Sequence, residues 1–311
     1  MSLKEFFKKN KEFIVLTFFV CIFFVIYFYS INNRPQEVII ENKEQVIEKE
    51  KIDYETLLGE IKAKSFYVYD IKAEKAIFAK DENLQLPLAS ITKLMSGLVI
   101  IDVLPETTII KIDREDISQE GDTGLVVDEN WKLKELLDFT LITSSNDGMH
   151  ALSSAVNYHE SVNNKNVVKL MNDKAKGMGL ENTLFLNETG LDLDENLSGA
   201  YSSAYDVSIL LKNIIENNPI LISQTKNSSE EFTSENNISH FASNTNVSID
   251  KIPNMIASKT GFTDLAGGNL AIIFDAGFSY PIAIVVLGST TNDRFADVEK
   301  LVKLTLQKLS E

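Results

Sequence analysis

The stretch Leu86–Met95 reads Leu-Pro-Leu-Ala-Ser-Ile-Thr-Lys-Leu-Met, and the rest of the chain is organised around it. Apolar residues recur at helical spacing from Ile91 onward, and the fixed φ of Pro87 suits the start of a helix. Ser90 and Lys93 are three residues apart, so on a helix their side chains share one face. The stretch therefore predicts a serine and a lysine in contact at the beginning of a helix.

A serine–lysine pair of this kind can supply a nucleophile. The serine hydroxyl attacks poorly until a base takes its proton, and a lysine can be that base where burial or positive charge lowers its pKa. The pair alone carries little weight, because Ser-x-x-Lys recurs at Ser223–Lys226. On the order of one such pair is expected by chance in a chain of this length. The interpretation of Ser90 and Lys93 as nucleophile and base therefore depends on further catalytic motifs elsewhere in the chain.

The composition of the chain limits the classes of function open to it. With 311 residues, 44% of them hydrophobic, it can bury a sizeable core in one large domain or two ordinary ones. A net charge of −15 leaves no basic face for phosphates, which argues against a nucleic-acid partner. The single cysteine, Cys21, excludes a disulfide framework, and the histidines lack the spacing of metal ligands.

The N-terminal region reads as a membrane anchor. Residues 13–31 are uncharged and apolar, and as a helix they would span roughly 28 Å, about one bilayer core. Lysines in residues 1–12 form a basic tail that the positive-inside rule places in the cytoplasm, with the rest of the chain outside. A cleaved signal peptide is the alternative, but the apolar run is long and Tyr29–Asn32 is a poor cleavage site.

Beyond the anchor, residues 32–61 are rich in Glu and Lys and are interpreted as a stalk, and residues 62–311 as one domain. Strand patterns lie at both ends of that domain, with helical patterns between them, one of them at Trp131–Ile142, and a closing amphipathic helix at Asp293–Leu309. These strands are Ser65–Ile71, Lys75–Ala79, Gly268–Phe274 and Tyr280–Leu287. The stretch 217–246, crowded with Asn and Ser, is left unassigned. The order predicts an α+β fold with one antiparallel sheet built from both ends of the domain.

Two further motifs accompany the first pair. Ser144-Ser145-Asn146 follows a helical pattern, and Lys259-Thr260-Gly261 precedes an apolar strand. Ser-x-Asn is common in this chain, but Lys-Thr-Gly occurs once. Ser-x-x-Lys, Ser-x-Asn and Lys-Thr-Gly together are the signature of penicillin-binding proteins and class A β-lactamases. The order and context of the three motifs make the set persuasive.

From about Ala63 to Leu304 the chain resembles the D-alanyl-D-alanine carboxypeptidases, the low-molecular-mass penicillin-binding proteins of serine peptidase family S11. The similarity extends beyond the motifs to four longer segments, Leu141–Asp147, Asn187–Asp192, Tyr201–Asp206 and Ser258–Gly267. Ser145 stands where the family usually has glycine, and Glu188 where it usually has proline. The resemblance implies a β-lactamase/transpeptidase-like fold, an antiparallel sheet flanked by helices.

The resemblance also implies catalytic roles. Ser90 would attack the carbonyl between the last two D-alanines and form an acyl-enzyme, and Lys93 would accept its proton. A second ammonium, from Lys259, would help to keep Lys93 neutral. Ser144 would relay a proton toward the leaving amine. Asn146 would hydrogen-bond the substrate amide and position Lys93.

Substrate binding is implied at the third motif. Lys259 and Thr260 would bind the terminal carboxylate of the substrate, and Gly261 would leave room for its backbone along the strand edge. The backbone N–H groups of Ser90 and Phe262 would form the oxyanion hole. Neither a metal nor an organic cofactor is required by this mechanism.

The predicted function is removal of the terminal D-alanine from peptidoglycan stem peptides at the outer face of a bacterial cytoplasmic membrane, with β-lactams as acylating inhibitors. A D,D-endopeptidase that cuts peptidoglycan cross-links is the alternative, because it shares all three motifs. A β-lactamase is disfavoured, since no Glu-x-x-Leu-Asn lies between the second and third motifs. A non-catalytic peptidoglycan-binding module would predict damaged motifs, and these are intact.

Overall fold

A computed structural model describes residues 4, 9–33, 52–159, 162 and 166–311 of the chain. The chain divides into two units, Met1–Ile52 and Asp53–Glu311. Most of the predicted stalk, residues 34–51, lies outside the described residues.

The described part of the first unit is a single long helix, α1 (Lys11–Asn32). It contains the predicted span 13–31, and its stretch Val15–Asn32 has a mean hydropathy of 2.2. By length and composition this helix can cross a membrane, and a signal sequence would share that property.

The second unit begins at Asp53 rather than at residue 62. The reason is a short helix, α2 (Tyr54–Gly59), that was expected to belong to the stalk. Three of its apolar side chains, Tyr54, Leu57 and Leu58, pack against one of the two core clusters of the unit. Apolar burial therefore makes this segment part of the domain.

The helices and strands of the second unit follow the predicted order, with strands at both ends and helices between them. The further helices are α3 (Lys93–Val103), α4 (Leu133–Thr143), α5 (Asn146–Asn157), α6 (Val167–Gly177), α7 (Ala204–Asn217) and α8 (Asp293–Leu309). The strands are β1 (Ser65–Asp70), β2 (Lys75–Lys80), β3 (Leu86–Pro87), β4 (Ile109–Lys111), β5 (Asn130–Lys132), β6 (Leu184–Phe185), β7 (Ala200–Ser202), β8 (Ser229–Thr233), β9 (Ser239–Ser243), β10 (Met255–Thr263), β11 (Gly267–Asp275) and β12 (Pro281–Ser289).

The main sheet has five strands in the order β10-β11-β12-β1-β2, and every neighbouring pair is antiparallel. The first strand of the domain pairs with the last, with Ser65 opposite Leu287 and Asp70 opposite Ile282. The prediction of one antiparallel sheet built from both ends of the domain is confirmed. Strand β10, which carries the Lys-Thr-Gly motif, forms one edge.

Both faces of the sheet are buried, which gives the domain three layers. Side chains alternate along a strand, so Tyr67 and Tyr69 face one core cluster while Phe66 and Val68 face the other. The first cluster joins the sheet to α3 through α7, and the second joins it to α2 and α8. Double burial explains why β11 and β12 read as continuous apolar runs.

The structure departs from the sequence patterns in two places near the motifs, and it assigns a third stretch. The predicted helix at residues 131–142 begins only at Leu133, because buried Trp131 belongs to β5 and pairs with Ile110. Pro87 lies in the short strand β3 rather than in the first turn of a helix. The unassigned stretch 217–246 forms a 3₁₀ helix, Pro219–Lys226, followed by the β8–β9 hairpin.

Candidate active site

The first motif forms a tight turn between β3 and α3. Ser90 lies in a 3₁₀ turn, Ala89–Thr92, and Lys93 is the first residue of α3. This helical spacing brings Lys93 Nζ to 2.8 Å from Ser90 Oγ. The predicted contact between the serine and the lysine is present.

Lys93 is fully buried among hydrogen-bond acceptors. Besides Ser90 Oγ, its Nζ donates to Asn146 Oδ1 at 2.6 Å and to the backbone oxygen of Thr189 at 2.9 Å. Burial lowers the pKa of Lys93 to about 7, against a weaker opposing effect from the charge of Glu188. A lysine that loses its proton near neutral pH can accept the proton of a serine in hydrogen-bond contact.

The second motif is the sharp turn between α4 and α5. Ser144 ends α4 in the left-handed conformation, with a φ of 62°. Ser145 then caps α5, and its hydroxyl accepts from Gly148 N at 2.9 Å. The turn directs two side chains of the motif at two different lysines, since Asn146 contacts Lys93 and Ser144 contacts Lys259. A non-glycine residue in the left-handed region is costly, and such strain concentrates at functional sites.

The third motif lies on the edge strand β10. Lys259 is 2% exposed, and its Nζ donates to Ser144 Oγ at 2.7 Å and to Thr260 O at 2.9 Å. Burial lowers the pKa of Lys259, and the neighbouring charges of Lys93 and Arg294 lower it further. Burial is the first cause of the lowered pKa of both lysines, and the positive charges of Lys93 and Lys259 repel each other.

Arg294 of α8 is a third cation beside this strand that the sequence patterns did not single out. It is 8% exposed, and its Nη1 donates to Gly261 O at 2.7 Å. Within the described residues, Arg294, Lys93 and Lys259 form no salt bridge. Buried basic side chains without a carboxylate partner favour an anionic ligand, whose charge in turn stabilises their protonated forms.

Gly261 is required by the close approach of β10 to the serine turn. A Cβ at this position would lie 2.7 Å from Leu88 O and 3.1 Å from Ser90 N. The space that a side chain would need is thus filled by the turn that carries Ser90. Phe262, the next residue, is 48% exposed at the strand edge. Thr260 is buried, and its Oγ1 lies 2.5 Å from the hydroxyl of Thr245.

The turn at Asn187–Asp192 contributes a backbone atom to the site. Asn187 Oδ1 accepts from Gly190 N at 2.7 Å, and Gly190 has a φ of +82°. A Cβ on Gly190 would lie 1.9 Å from Ala89 O, so only glycine fits there. This geometry delivers the carbonyl of Thr189 to Lys93. The Asn-x-x-Gly spacing predicts the turn, but it gives no sign of which carbonyl meets the lysine.

The two histidines near the motifs each contact one carboxylate. His150 Nδ1 lies 2.7 Å from Asp116 Oδ1, and His240 Nε2 lies 2.6 Å from Glu129 Oε1. Across the described ranges, no group of three or more His, Cys, Asp or Glu side chains could hold a metal ion.

Comparison with known proteins places this geometry in a family. The family model for D-alanyl-D-alanine carboxypeptidases, peptidase family S11, matches residues 49–291. D-alanyl-D-alanine carboxypeptidase DacF of Bacillus subtilis is 32% identical over 247 residues, 77% of this chain and 61% of that protein. The D-alanyl-D-alanine endopeptidase of Escherichia coli is 30% identical over 254 residues, 78% of this chain and 76% of that protein. The chain spans less than two thirds of the Bacillus protein.

The fold has a counterpart among solved structures. Penicillin-binding protein D2 of Listeria monocytogenes, in its cefotaxime-bound form, matches with a TM-score of 0.66 and 22% identity. The match covers 78% of this chain and 97% of that one. It confirms the predicted transpeptidase-like fold, an antiparallel sheet flanked by helices. The family match covers well over half of the chain, which therefore belongs to peptidase family S11, the D-alanyl-D-alanine carboxypeptidases.

Proposed function

We propose that this protein is a serine D,D-carboxypeptidase that removes the terminal D-alanine from peptidoglycan stem peptides through an acyl-enzyme on Ser90. The observation that carries the proposal is the 2.8 Å contact between Ser90 Oγ and the buried Nζ of Lys93. A neutral amine in that position can take the proton of the serine as it attacks. The activity named for the Bacillus relative supports the choice of substrate.

Acylation follows from these contacts. Ser90 Oγ bonds to the carbonyl carbon of the D-alanyl-D-alanine peptide bond, and its proton passes to Lys93. When the C–N bond breaks, the proton held by Lys93 passes to the leaving amine by way of Ser144, whose hydroxyl is 2.7 Å from Lys259 Nζ. Water then attacks the ester and gives a proton to Lys93, which passes it to Ser90 Oγ as the shortened peptide leaves. Asn146 holds Lys93 through its Oδ1.

Recognition of the substrate C-terminus is assigned to β10. Lys259 and Thr260 bind the terminal carboxylate, since buried cations without a carboxylate partner favour an anion. The peptide backbone extends along the free edge of the strand at Gly261. The N–H groups of Ser90 and Phe262 stabilise the oxyanion, and loss of one such donor typically costs ~3 kcal/mol of transition-state stabilisation.

We also propose that the site is extracytoplasmic and that β-lactams inhibit it. Residues 1–12 are a cytoplasmic tail, residues 13–31 a retained single-pass anchor, and the segment up to the domain a stalk, so the site is extracytoplasmic. The apolar length of α1 supports this arrangement. β-Lactams acylate Ser90, and the cefotaxime-bound form of the Listeria protein supports this assignment.

A D,D-endopeptidase is the second candidate, because the Escherichia coli relative carries that name at a similar identity. Both activities cleave after a D-alanine and would use the same residues. Digestion of purified muropeptides distinguishes them. A carboxypeptidase shortens monomeric pentapeptides, whereas an endopeptidase converts cross-linked dimers to monomers.

Intact-mass spectrometry of the full-length protein with benzylpenicillin tests the proposed chemistry. We expect a long-lived adduct of one penicillin on the wild type and none on Ser90→Ala. An adduct on Ser90→Ala would remove the assigned nucleophile. An adduct that vanishes within seconds would favour a β-lactamase. A wild type without adduct would favour a peptidoglycan-binding module.

A further inference from the structure

The segment 119–123 lies beside the second motif, which contacts it through two residues. These are Ser145, which caps α5, and Asn146, the first residue of α5. The role already proposed for the motif uses only Ser144 and Asn146. The contact of Ser145 therefore calls for an explanation of its own.

The contact between Asn146 and the segment determines which end of the Asn146 amide faces Lys93. Its Oδ1 accepts from Lys93, while its Nδ2 donates to Glu120 O at 2.6 Å. The two ends of an asparagine amide have nearly the same shape, so hydrogen-bond partners decide which end faces which group. With the amide reversed, two N–H groups would face the amine that must receive a proton. The carbonyl of Glu120 selects the orientation that Lys93 requires.

The backbone at Glu120 turns because of the residue after it. Gly121 has a φ of +89°, a conformation that residues with side chains rarely adopt. A Cβ added at Gly121 would meet no atom closer than Asn146 Nδ2, at 3.8 Å. Glycine is therefore favoured here by the backbone conformation and not by a lack of space. The orientation of the amide thus depends on where the segment 119–123 is held.

Ser145 holds this segment through its side chain. Its hydroxyl is fully buried, accepts from Gly148 N at 2.9 Å and lies 2.6 Å from Thr123 Oγ1. A hydroxyl has one donor and two acceptor sites, so it can cap the helix and bond the threonine together. The glycine usual in the family at this position could do neither.

Asp147 is buried near the same segment. It is 1% exposed, and burial raises the pKa of the carboxyl to about 6. The nearby backbone of Thr123 and Gln119 opposes that rise, but Asp147 Oδ1 has no hydrogen-bond partner among the described residues. Asp147 therefore packs close to the segment without fastening it, and the hydroxyl of Ser145 is the side chain that does.

We propose that Ser145 and Thr123 are positioning residues that fasten the segment 119–123 across the second motif and so keep the Asn146 amide oriented toward Lys93. The inference rests on the proposed function, since it assigns these two hydroxyls to the acylation step. Neither residue touches the reacting atoms. Both act through the chain of contacts from Thr123 to Glu120, Asn146 and Lys93.

The test compares Thr123→Val, which removes the hydroxyl at constant shape, with Thr123→Ser, which restores it. The full-length protein in detergent is assayed for the rate of acylation by a fluorescent penicillin. Hydrogen–deuterium exchange is followed at residues 119–124. Ser118→Ala is the matched control, because Ser118 lies beside the segment and its exposed hydroxyl bonds only locally, to Glu115 O.

We expect Thr123→Val to lower the acylation rate roughly five- to tenfold, the usual effect of losing one partly buried hydrogen bond, and to speed exchange at residues 119–124. Thr123→Ser and Ser118→Ala should stay within about twofold of the wild type on the same reasoning. In a double-mutant cycle, the losses of acylation rate caused by Ser145→Ala and Thr123→Val should be less than additive, because the two hydroxyls bond each other directly.

Several results would overturn the inference. The first is a Thr123→Val variant whose acylation rate and exchange equal those of the wild type. The second is a Thr123→Ser variant that is acylated as slowly as Thr123→Val. The third is full additivity of the two rate losses in the double-mutant cycle. Failure of the proposed function is distinguishable from failure of this inference. If penicillin does not acylate the wild type, the proposed function is wrong. The exchange data then decide by themselves whether the two hydroxyls fasten the segment 119–123.

Discussion

The site has two walls, each built around a buried lysine, and the comparison of these walls separates their roles. One wall is the serine turn with Lys93, whose Nζ has three oxygen partners, one of them Ser90 Oγ. The other is the edge strand with Lys259, whose Nζ contacts Ser144 Oγ and a backbone oxygen. Both side chains are at most 2% exposed. Residue type and burial are the same, so only the partners distinguish them.

The difference teaches that the element carrying a buried lysine, and the partners it meets there, decide what that lysine can do. Lys93 lies within α3 and its partners are all internal, so it is held for proton transfer to and from Ser90. Lys259 lies on an edge strand beside Arg294, where positive charge accumulates next to a free strand edge. Removal of each lysine should therefore change a different kinetic constant.

The largest expected effect is that of Lys93→Met, which keeps the length of the side chain but removes the base. We expect acylation by penicillin to fall by roughly 10²–10⁴, the usual contribution of a positioned general base. The rate of adduct formation by mass spectrometry measures it. Lys80→Met is the control, because Lys80 also donates to a backbone oxygen, Ala63 O, but on the remote strand β2. Comparable losses in both variants would contradict a specific role for Lys93.

A smaller effect is expected from Lys259→Met, and in a different constant. Hydrogen bonds to charged groups contribute about 1.5–3 kcal/mol, so KM for a D-alanyl-D-alanine peptide should rise roughly 10- to 100-fold. The value of kcat should change less.

A peptide with an amidated C-terminus supplies the control for this prediction. It lacks the carboxylate, so the wild type and Lys259→Met should process it with similar KM values. Full activity of Lys259→Met on the carboxylate peptide would show that the assignment of Lys259 is wrong.

The two walls also differ in how far the sequence predicts them. Ser90 and Lys93 are close in sequence, and helical periodicity brings them together. The five-stranded sheet is also predictable, because long apolar strands have few places to be buried other than the central sheet. The helix predicted from Trp131 shows the limit of such patterns. Its apolar spacing also fits a strand, and only pairing with Ile110 decides between the two.

Contacts made by backbone atoms are the part that no pattern reveals. The carbonyls of Thr189 and Glu120 meet Lys93 and Asn146 from distant loops, and any residue type has a carbonyl. Glycines at Gly121 and Gly190 mark the turns, but not the atoms that those turns present. Arg294 was missed because a lone arginine in an amphipathic helix resembles a solvent-exposed residue.

The smallest expected effect is a shift in pH dependence, and it is the sharpest test of the comparison. A protonated Lys93 cannot accept the proton of Ser90. With a pKa of about 7, acylation should therefore rise about tenfold per pH unit below pH 7 and level off above it. Acylation rates measured from pH 5.5 to 9 give this rise, which is the acid limb of the pH profile.

Two variants then separate the causes of the low pKa of Lys93. The negative charge of Glu188 raises this pKa, so Glu188→Gln should move the acid limb to lower pH. Lys259→Met should move the limb little, because burial is the first cause of the shift. A large movement of the limb to higher pH in Lys259→Met would mean that repulsion between the lysines, rather than burial, keeps Lys93 neutral. The two walls would then act as one coupled unit, and the division of roles between them would fail.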